Sequence, residues 1–270
     1  MYKPNLTRQN PTLLKLTRLV RLMTGWVIFR KRFPKEFGSS SIYVTSDANV
    51  RYLMPGFRFA ANDLLTIVER YIKPGQCAWD IGSNLGVFAF AAAFKAGQSG
   101  QVYSLEANPK FTELQNRSLP HLATGSAPIT ILCAALSDFM GLAEFNVVKQ
   151  GEDKNYLTQA NIKYPANEIL STKQVVTVTG DFLIQYWKRP DFVKIDIEGA
   201  EFLALKGSSL LLTQARPVIY IEVRPNNQDE VTCLLLEHDY RLYKLTENGN
   251  EQRVDHCHFD TIAKPAEKGV

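Results

Sequence analysis

From residue 77 onward, short apolar runs alternate with helix-periodic segments, and this alternation constrains the fold more than any other feature. Residues 77–81 (CAWDI) are an apolar run that stops at a glycine-rich turn, and residues 87–96 (VFAFAAAFKA) predict a helix closed by Gly97. A strand over 101–105, a helix over 111–122 and a strand over 129–135 follow. The rhythm breaks over 137–180, where 142–148 and 175–178 read as strands and 150–158 as a polar stretch. It then resumes with strand 192–197, helix 201–212, strand 218–223 and helix 228–238. Strands over 241–245 and 260–263 close the chain, joined by a loop containing ENGN (247–250). Before the alternation begins, 42–44 and 50–53 read as short strands, and 60–71 as a helix stopped by KPG (73–75). Alternation of this kind specifies a mostly parallel sheet with helices on both faces, and right-handed crossovers prune its topology. The last two strands have no helix between them, so the final one is expected to run antiparallel.

The chain has 270 residues, 45% hydrophobic and 21% charged, which suits one large α/β domain and excludes global disorder. A net charge of +4 is too small to imply nucleic acid, and no nucleic-acid partner is expected. That charge is uneven. Residues 1–40 carry nine Lys and Arg against Glu36 alone, so a lead-in of +8 precedes a body of 4 − 8 = −4. Residues 11–32 predict an amphipathic helix, with Leu13, Leu16, Val20, Met23 and Val27 on one side and Lys15, Arg18 and Arg21 on the other. Residues 1–37 are therefore read as a basic helical segment that docks on a partner protein or lies at an anionic membrane surface, ahead of a domain at 38–270 with its core at about 60–265. The start lacks a secretory pattern and an apolar stretch long enough to span a bilayer. Cys77, Cys133, Cys233 and Cys257 form no framework, which favours a reducing compartment. The expected location is cytoplasmic, peripheral to the membrane at most.

Polar clusters fall where the strands end, and open sheets of this kind bind ligands at those ends. After the first core strand comes DIGSNLG (80–86), in which Gly82 permits a tight turn and Gly86 lets the next helix start close to the sheet. Asp80 puts a carboxylate beside that turn, suited to an ammonium or a hydroxyl and repellent to a pyrophosphate. The spacing is D-x-G-x-x-x-G, not the G-x-G-x-x-G of dinucleotide binders, which weakens a nicotinamide-dependent oxidoreductase reading. Glu106 ends the next strand twenty residues after Gly86, where an acid can accept from both hydroxyls of a ribose. Asn108 and Pro109 then open a helix.

These clusters resemble class I S-adenosylmethionine-dependent methyltransferases, and more narrowly the FkbM-type family. The resemblance spans about residues 60–265. It is carried by VERYIKPG (68–75), WDIGSNLG (79–86), VYSLEANP (102–109), AALSD (134–138), KIDIEGAE (194–201) and RPVIYIEV (216–223). It implies a Rossmann-like fold with a seven-stranded, mostly parallel sheet whose last strand is antiparallel. It also implies S-adenosylmethionine as cofactor and transfer of its methyl group to a hydroxyl of a sugar, glycan or related natural product. Asp80, Gly82, Ser83, Asn84 and Gly86 would hold the methionine and ribose portion, with Asn108 in the same set and Glu106 on the ribose diol. Ser137 and Asp138 would sit near the adenine, and Asp196 would face the methyl sulfonium. Family members often carry a Leu-Asp pair where this chain has Thr179, Gly180 and Asp181, so no role is carried over to Asp181.

Removing the proton of a hydroxyl nucleophile calls for a base. Asp196 is the leading catalytic residue, followed by Glu198, which shares its facing only if the chain turns at Gly199. Lys194 shares that facing by the period of two and is placed to orient the Asp196 carboxylate or bind substrate. Asp196, Glu222 and Asn226 supply oxygen ligands of the kind Mg²⁺ takes, but their spacing does not require it and no metal is expected. His256 and His258 flank Cys257 without a second ligand pair at finger spacing and read as a polar loop. Base methylation is disfavoured because no Asn/Asp-Pro-Pro-aromatic tetrad follows the fourth strand. The alternative from another class is a non-catalytic nucleoside-binding module anchored by the basic helix. The segments 38–60 and 137–180 are expected to wall the acceptor pocket.

Overall fold

The computed structural model describes residue 20, residues 23–25 and residues 27–268 apart from 150, 152, 153, 163 and 247–249. A ribbon of β1 (Ile28–Arg32) and β2 (Ser41–Thr45) opens the fold, with Ile28 opposite Thr45. Then come α1 (Arg58–Tyr71), β3 (Cys77–Ile81), α2 (Val87–Ala96), β4 (Gln101–Glu106), α3 (Pro109–Ser118) and β5 (Ile129–Cys133). The next stretch supplies β6 (Ala135–Leu136), β7 (Gly141–Val148), β8 (Tyr156–Leu157) and β9 (Ile169–Val178). After the single turn α4 (Gly180–Leu183), the alternation resumes with β10 (Phe192–Ile195), α5 (Glu201–Lys206), β11 (Val218–Glu222) and α6 (Gln228–Glu237). Strands β12 (Tyr240–Leu245), β13 (Glu251–Val254) and β14 (Asp260–Pro265) finish the chain.

The main sheet has the order β13-β12-β14-β11-β10-β3-β4-β5. Strands β5, β4, β3, β10 and β11 pair parallel, and β14 is antiparallel to both β11 and β12. The class and the antiparallel last strand are as the alternation implies. The sheet has eight strands instead of seven, because β13 folds back on β12 as a hairpin within the stretch read as a loop. The period of two divides the core. Ala78, Val102, Phe192 and Tyr220 face α1 and α2, packing with Leu65, Val68, Phe88 and Phe90. Trp79, Leu105, Val193, Ile195 and Ile221 face the other way, onto Leu205, Val231 and Leu235 of α5 and α6. The helix α2 is apolar almost all round because it is enclosed, with Val87 to Ala93 all buried.

Several elements differ from expectation, each for an identifiable reason. The helix expected over 11–32 does not reach Arg32. Val20, Met23 and Thr24 are helical and Gly25 is in a turn, but Ile28–Arg32 is a strand; most of the rest of that helix lies outside the described residues. The β-branched and aromatic residues Val27, Ile28 and Phe29 favour a strand once β2 offers a partner. Phe33 and Phe37 are buried in the core of the domain, so the structural body begins before residue 38. Residues Val50–Leu53 form a 3-10 turn capped by Asn49, whose side chain accepts from Arg51 N–H, and not a strand. The helix expected over 201–212 stops at Lys206, and Leu211–Ala215 form a separate π-helical turn. Among the described residues, no helix is long and apolar enough to cross a membrane. All four cysteines are free, Cys77 and Cys257 buried and Cys133 and Cys233 exposed.

Residues 135–178 build a second sheet, β6-β9-β7-β8. Its first and last strands pair parallel, Ala135 with Thr177 and Leu136 with Val178. Its inner face, including Ala143, Phe145, Val148 and Val175, packs against Ala200.

Candidate active site

From β3 the chain steps outward through β4 and β5, whereas β10 and β11 lie on the opposite side of β3. This reversal of strand order opens a crevice at the carboxyl ends, where a ligand site is expected. Register aligns Asp80 with Lys194 and Ile81 with Ile195, so Gly82 and Asp196 lie side by side one step beyond the ladder. A Cβ on Gly82 would overlap the Asp196 carbonyl oxygen, and Gly82 has φ +71°. Glycine is needed here to close two backbones together as much as to make room for a ligand.

A cavity open to solvent occupies the crevice. Gly82, Asn84, Glu106, Asp196 and Glu198 all line it, so five of the expected site residues converge. Asp196 and Glu198 share the cavity because β10 ends at Ile195 and the chain then turns, with φ +49° at Glu198 and +92° at Gly199. Glu198 is also ion-paired with Arg224. The roof comes from the second sheet, through Phe145, Asn155 and Leu157, and a side wall from Ala134, Ala135 and Leu136. Among the described residues none of 38–60 lines the cavity, whereas residues of 137–180 do.

Glu106 is 8% exposed and accepts one backbone N–H on each oxygen, from Asn84 at 2.7 Å and from Asn108 at 2.8 Å. Burial pushes its carboxyl up to about 7 despite those two bonds. Each oxygen keeps a second lone pair, which is what a vicinal diol requires.

Asp80 is placed differently from expectation. It is completely buried beneath the cavity and is not part of its wall. Its Oδ2 accepts from Ala89 N–H at 3.1 Å, and its Oδ1 lies 3.2 Å from Lys194 Nζ. Lys194 donates to Gly82 O at 2.7 Å and stands 3.7 Å from Asp196 Oδ2. Burial alone would lower the Lys194 ammonium, but Asp80, Asp196 and Glu222 outweigh it and hold the group above its ordinary value. Lys194 thus joins a hidden carboxylate to Asp196, whose side chain is 32% exposed. On the next strand Glu222 is raised well above the usual carboxylate range by burial and by Asp196 and Asp260.

The remaining expected residues lie outside the cavity wall. Gly86 caps the start of α2, and Asn108 caps α3 by accepting from Lys110 N–H at 3.1 Å. Ser137 is buried, and Asp138 pairs with Lys206 at 2.9 Å. Ser83 is held by Gln115, a residue the sequence reading passed over. The fully buried Gln115 amide donates to Ser83 Oγ and Asn84 O and accepts from Ser104 Oγ, fixing the turn to α3 and β4. Its signal was a polar side chain on the buried stripe of Phe111, Leu114 and Ser118. Beyond Gly199, Glu201 accepts from Gly199 N–H and Asn227 Nδ2, and this brace holds the turn that carries Glu198. Among the described residues no group of three or more His, Cys, Asp or Glu is arranged to hold a metal, and His256 is engaged by Asp229.

The fold defines the class, a Rossmann-like domain of the methyltransferase type. The chain belongs to the FkbM methyltransferase family, since residues 80–251 match the Methyltransferase FkbM domain. It is 28% identical over 184 residues to the hexuronic acid methyltransferase AglP of Haloferax volcanii, covering 65% of this chain and 67% of that protein. A crystal structure of the methyltransferase FkbM from Methylobacillus flagellatus KT is similar at 14% identity and TM-score 0.45 over 74% of this chain, which spans half that protein's length. A SAM-dependent O-methyltransferase from Thermotoga maritima is similar at 14% identity and TM-score 0.40, over 76% of this chain and 64% of its own.

Proposed function

We propose that this protein transfers the methyl group of S-adenosylmethionine to a hydroxyl of a sugar or related polyhydroxylated acceptor. The observation that carries the reading is the shared cavity of Glu106 and Asp196, one carboxylate placed for a ribose diol and the other for an acceptor proton. The donor set fits such a cofactor: a buried acid with free lone pairs, a glycine turn, apolar walls for a base, and no cluster of cations to attract a pyrophosphate. When bound, the cofactor supplies an electrophilic methyl on a sulfonium.

Glu106 grips the ribose hydroxyls, and the Gly82 to Asn84 turn holds the chain that leads to sulfur. Asp196 would accept the proton of the acceptor hydroxyl, whose oxygen would take the methyl that the cofactor supplies, leaving the cofactor as the neutral thioether. Lys194, 3.7 Å from Asp196 Oδ2, positions the Asp196 carboxylate. Alignment of oxygen, carbon and sulfur supplies most of the acceleration, of the order of 7–11 kcal/mol. The apolar roof residues Phe145 and Leu157 limit the water around these contacts, which strengthens them. That the relative AglP is a hexuronic acid methyltransferase supports a sugar acceptor.

The test is isotope transfer from labelled S-adenosylmethionine into a panel of hexuronic acids and oligosaccharides, with Asp196→Asn as control. Labelled product from the wild type, reduced about a hundredfold or more in the variant while S-adenosylhomocysteine affinity stays within a few-fold, supports the reading. Equal transfer by both proteins refutes Asp196 as the base. We infer further that the basic lead-in docks the protein on an anionic surface. Removing residues 1–25 is expected to abolish co-sedimentation with phosphatidylserine vesicles, and unchanged sedimentation refutes that docking.

A further inference from the structure

Asn155 lies in the roof of the cavity, just before β8, and is 7% exposed. Its Oδ1 accepts from Val148 N–H at 3.1 Å. Because a backbone N–H only donates, this bond fixes the orientation of the amide: the oxygen faces β7, and the nitrogen is the free end. That nitrogen, Nδ2, is shut off from solvent and has no hydrogen-bond partner in the structure. A buried donor left unpaired is unfavourable, and native structures rarely keep one without a reason.

The surroundings narrow what the partner is. Phe145 and Leu157 flank Asn155 in the roof, while Ala107, Ala134, Ala135 and Leu136 form the wall beyond Glu106. These side chains suit the faces of a flat ring and offer it no hydrogen bond. Glu106 and Asp196 are acceptors when ionised, so neither can serve a lone pair on the ligand. Among the side chains of this roof and wall, Asn155 supplies a hydrogen-bond donor with no partner of its own.

We propose that Asn155 is a specificity residue for the cofactor's base, its Nδ2 donating to a ring nitrogen of adenine. The inference rests on the nucleoside reading of the cavity and adds to it a residue from the inserted sheet. A base without an acceptor at that ring position, or with a protonated nitrogen there, would leave Nδ2 unpaired and bind more weakly. The roof thereby senses whether the right base is in place, and β7 and β8 become ordered parts of the cofactor site as well as of the acceptor site.

Calorimetry on the full chain tests this with S-adenosylhomocysteine and its 1-deaza, 3-deaza and 7-deaza analogues, each of which replaces one ring nitrogen by carbon. The wild type is expected to bind one analogue roughly threefold to tenfold more weakly than the parent, the size of one hydrogen bond. Asn155→Asp keeps the acceptor for Val148 N–H but removes the donor. It is expected to bind the parent more weakly and to lose that discrimination. Two results overturn the assignment: the wild type binding all three analogues within twofold of the parent, or Asn155→Asp retaining the wild-type preference. Thermal melting of both ligand-free proteins shows whether they are equally folded, and the analogue series on the wild type does not depend on any variant. If the parent compound itself fails to bind at millimolar concentration, the nucleoside reading falls and this inference falls with it.

Discussion

Acidification is expected to weaken cofactor binding through Glu106. Its carboxyl titrates near 7 because burial outweighs the two backbone N–H groups it accepts. A ribose diol needs the ionised form, since the protonated acid gives up an acceptor site. With a midpoint near 7, the ionised fraction falls from about 0.9 at pH 8 to about 0.1 at pH 6, so affinity for S-adenosylhomocysteine is expected to drop roughly tenfold over that interval. Calorimetry at half-unit steps from pH 5.5 to 8.5 reads this directly. Glu106→Gln turns an amide NH₂ onto one of the two backbone donors and loses the charge. It is expected to weaken binding roughly 30- to 100-fold at pH 8 and to flatten the profile. The difference between the two profiles isolates this carboxyl from any titration of the ligand. In the ligand-free protein the same group acts in the opposite direction. The folded chain holds the proton below about 7 and the unfolded chain only below about 4.5. Falling pH between those values therefore stabilises the wild type relative to Glu106→Gln, by up to about 3 kcal/mol. An affinity constant from pH 6 to 8, or a Glu106→Gln profile with the wild-type slope, refutes the reasoning.

Three further outcomes follow from the site. Lys194→Met leaves Asp80 buried without its partner and is expected to cost about 3–5 kcal/mol in urea unfolding at pH 7, whereas Lys194→Met with Asp80→Leu recovers much of that loss. Gly82→Ala drives a methyl group into the Asp196 carbonyl and is expected to abolish S-adenosylhomocysteine binding by calorimetry, while Gly56→Ala, where nothing lies within 4 Å, leaves it intact. Gln115→Leu keeps the volume but strips three hydrogen bonds from the turn. It is expected to destabilise the fold by roughly 2–4 kcal/mol in chemical denaturation and to weaken the ligand, and a loss under 1 kcal/mol contradicts the bracing role.

The frame of the fold was legible because its strands and helices are dictated by local signals. Cys77–Ile81 and Val87–Ala96 have the bounds their pattern implies, since an apolar run between a turn and a glycine has one low-energy solution in a buried sheet. Glu106 and Asp196 were legible as strand-end acids. The edges were not. Ile28–Arg32 is helix-compatible by spacing, and only pairing with a strand nine or more residues away makes it β. Depth was also hidden: Asp80 and Asp196 look alike in sequence, yet one is fully buried and the other partly exposed, because burial depends on which strands flank them. Asn155 sits in a polar stretch that promises a loop, and its fixed amide exists only through Val148 on another strand.

The roof over the cavity is built from one stretch of chain between β5 and β10, folded as its own sheet and packed on Ala200. The residues that would meet the cofactor's ribose and the transferred methyl belong instead to the eight-stranded floor. Exchange of a single contiguous segment between relatives would therefore reshape the acceptor side while Glu106 and Asp196 stay in place, provided the incoming segment keeps a donor where Asn155 stands.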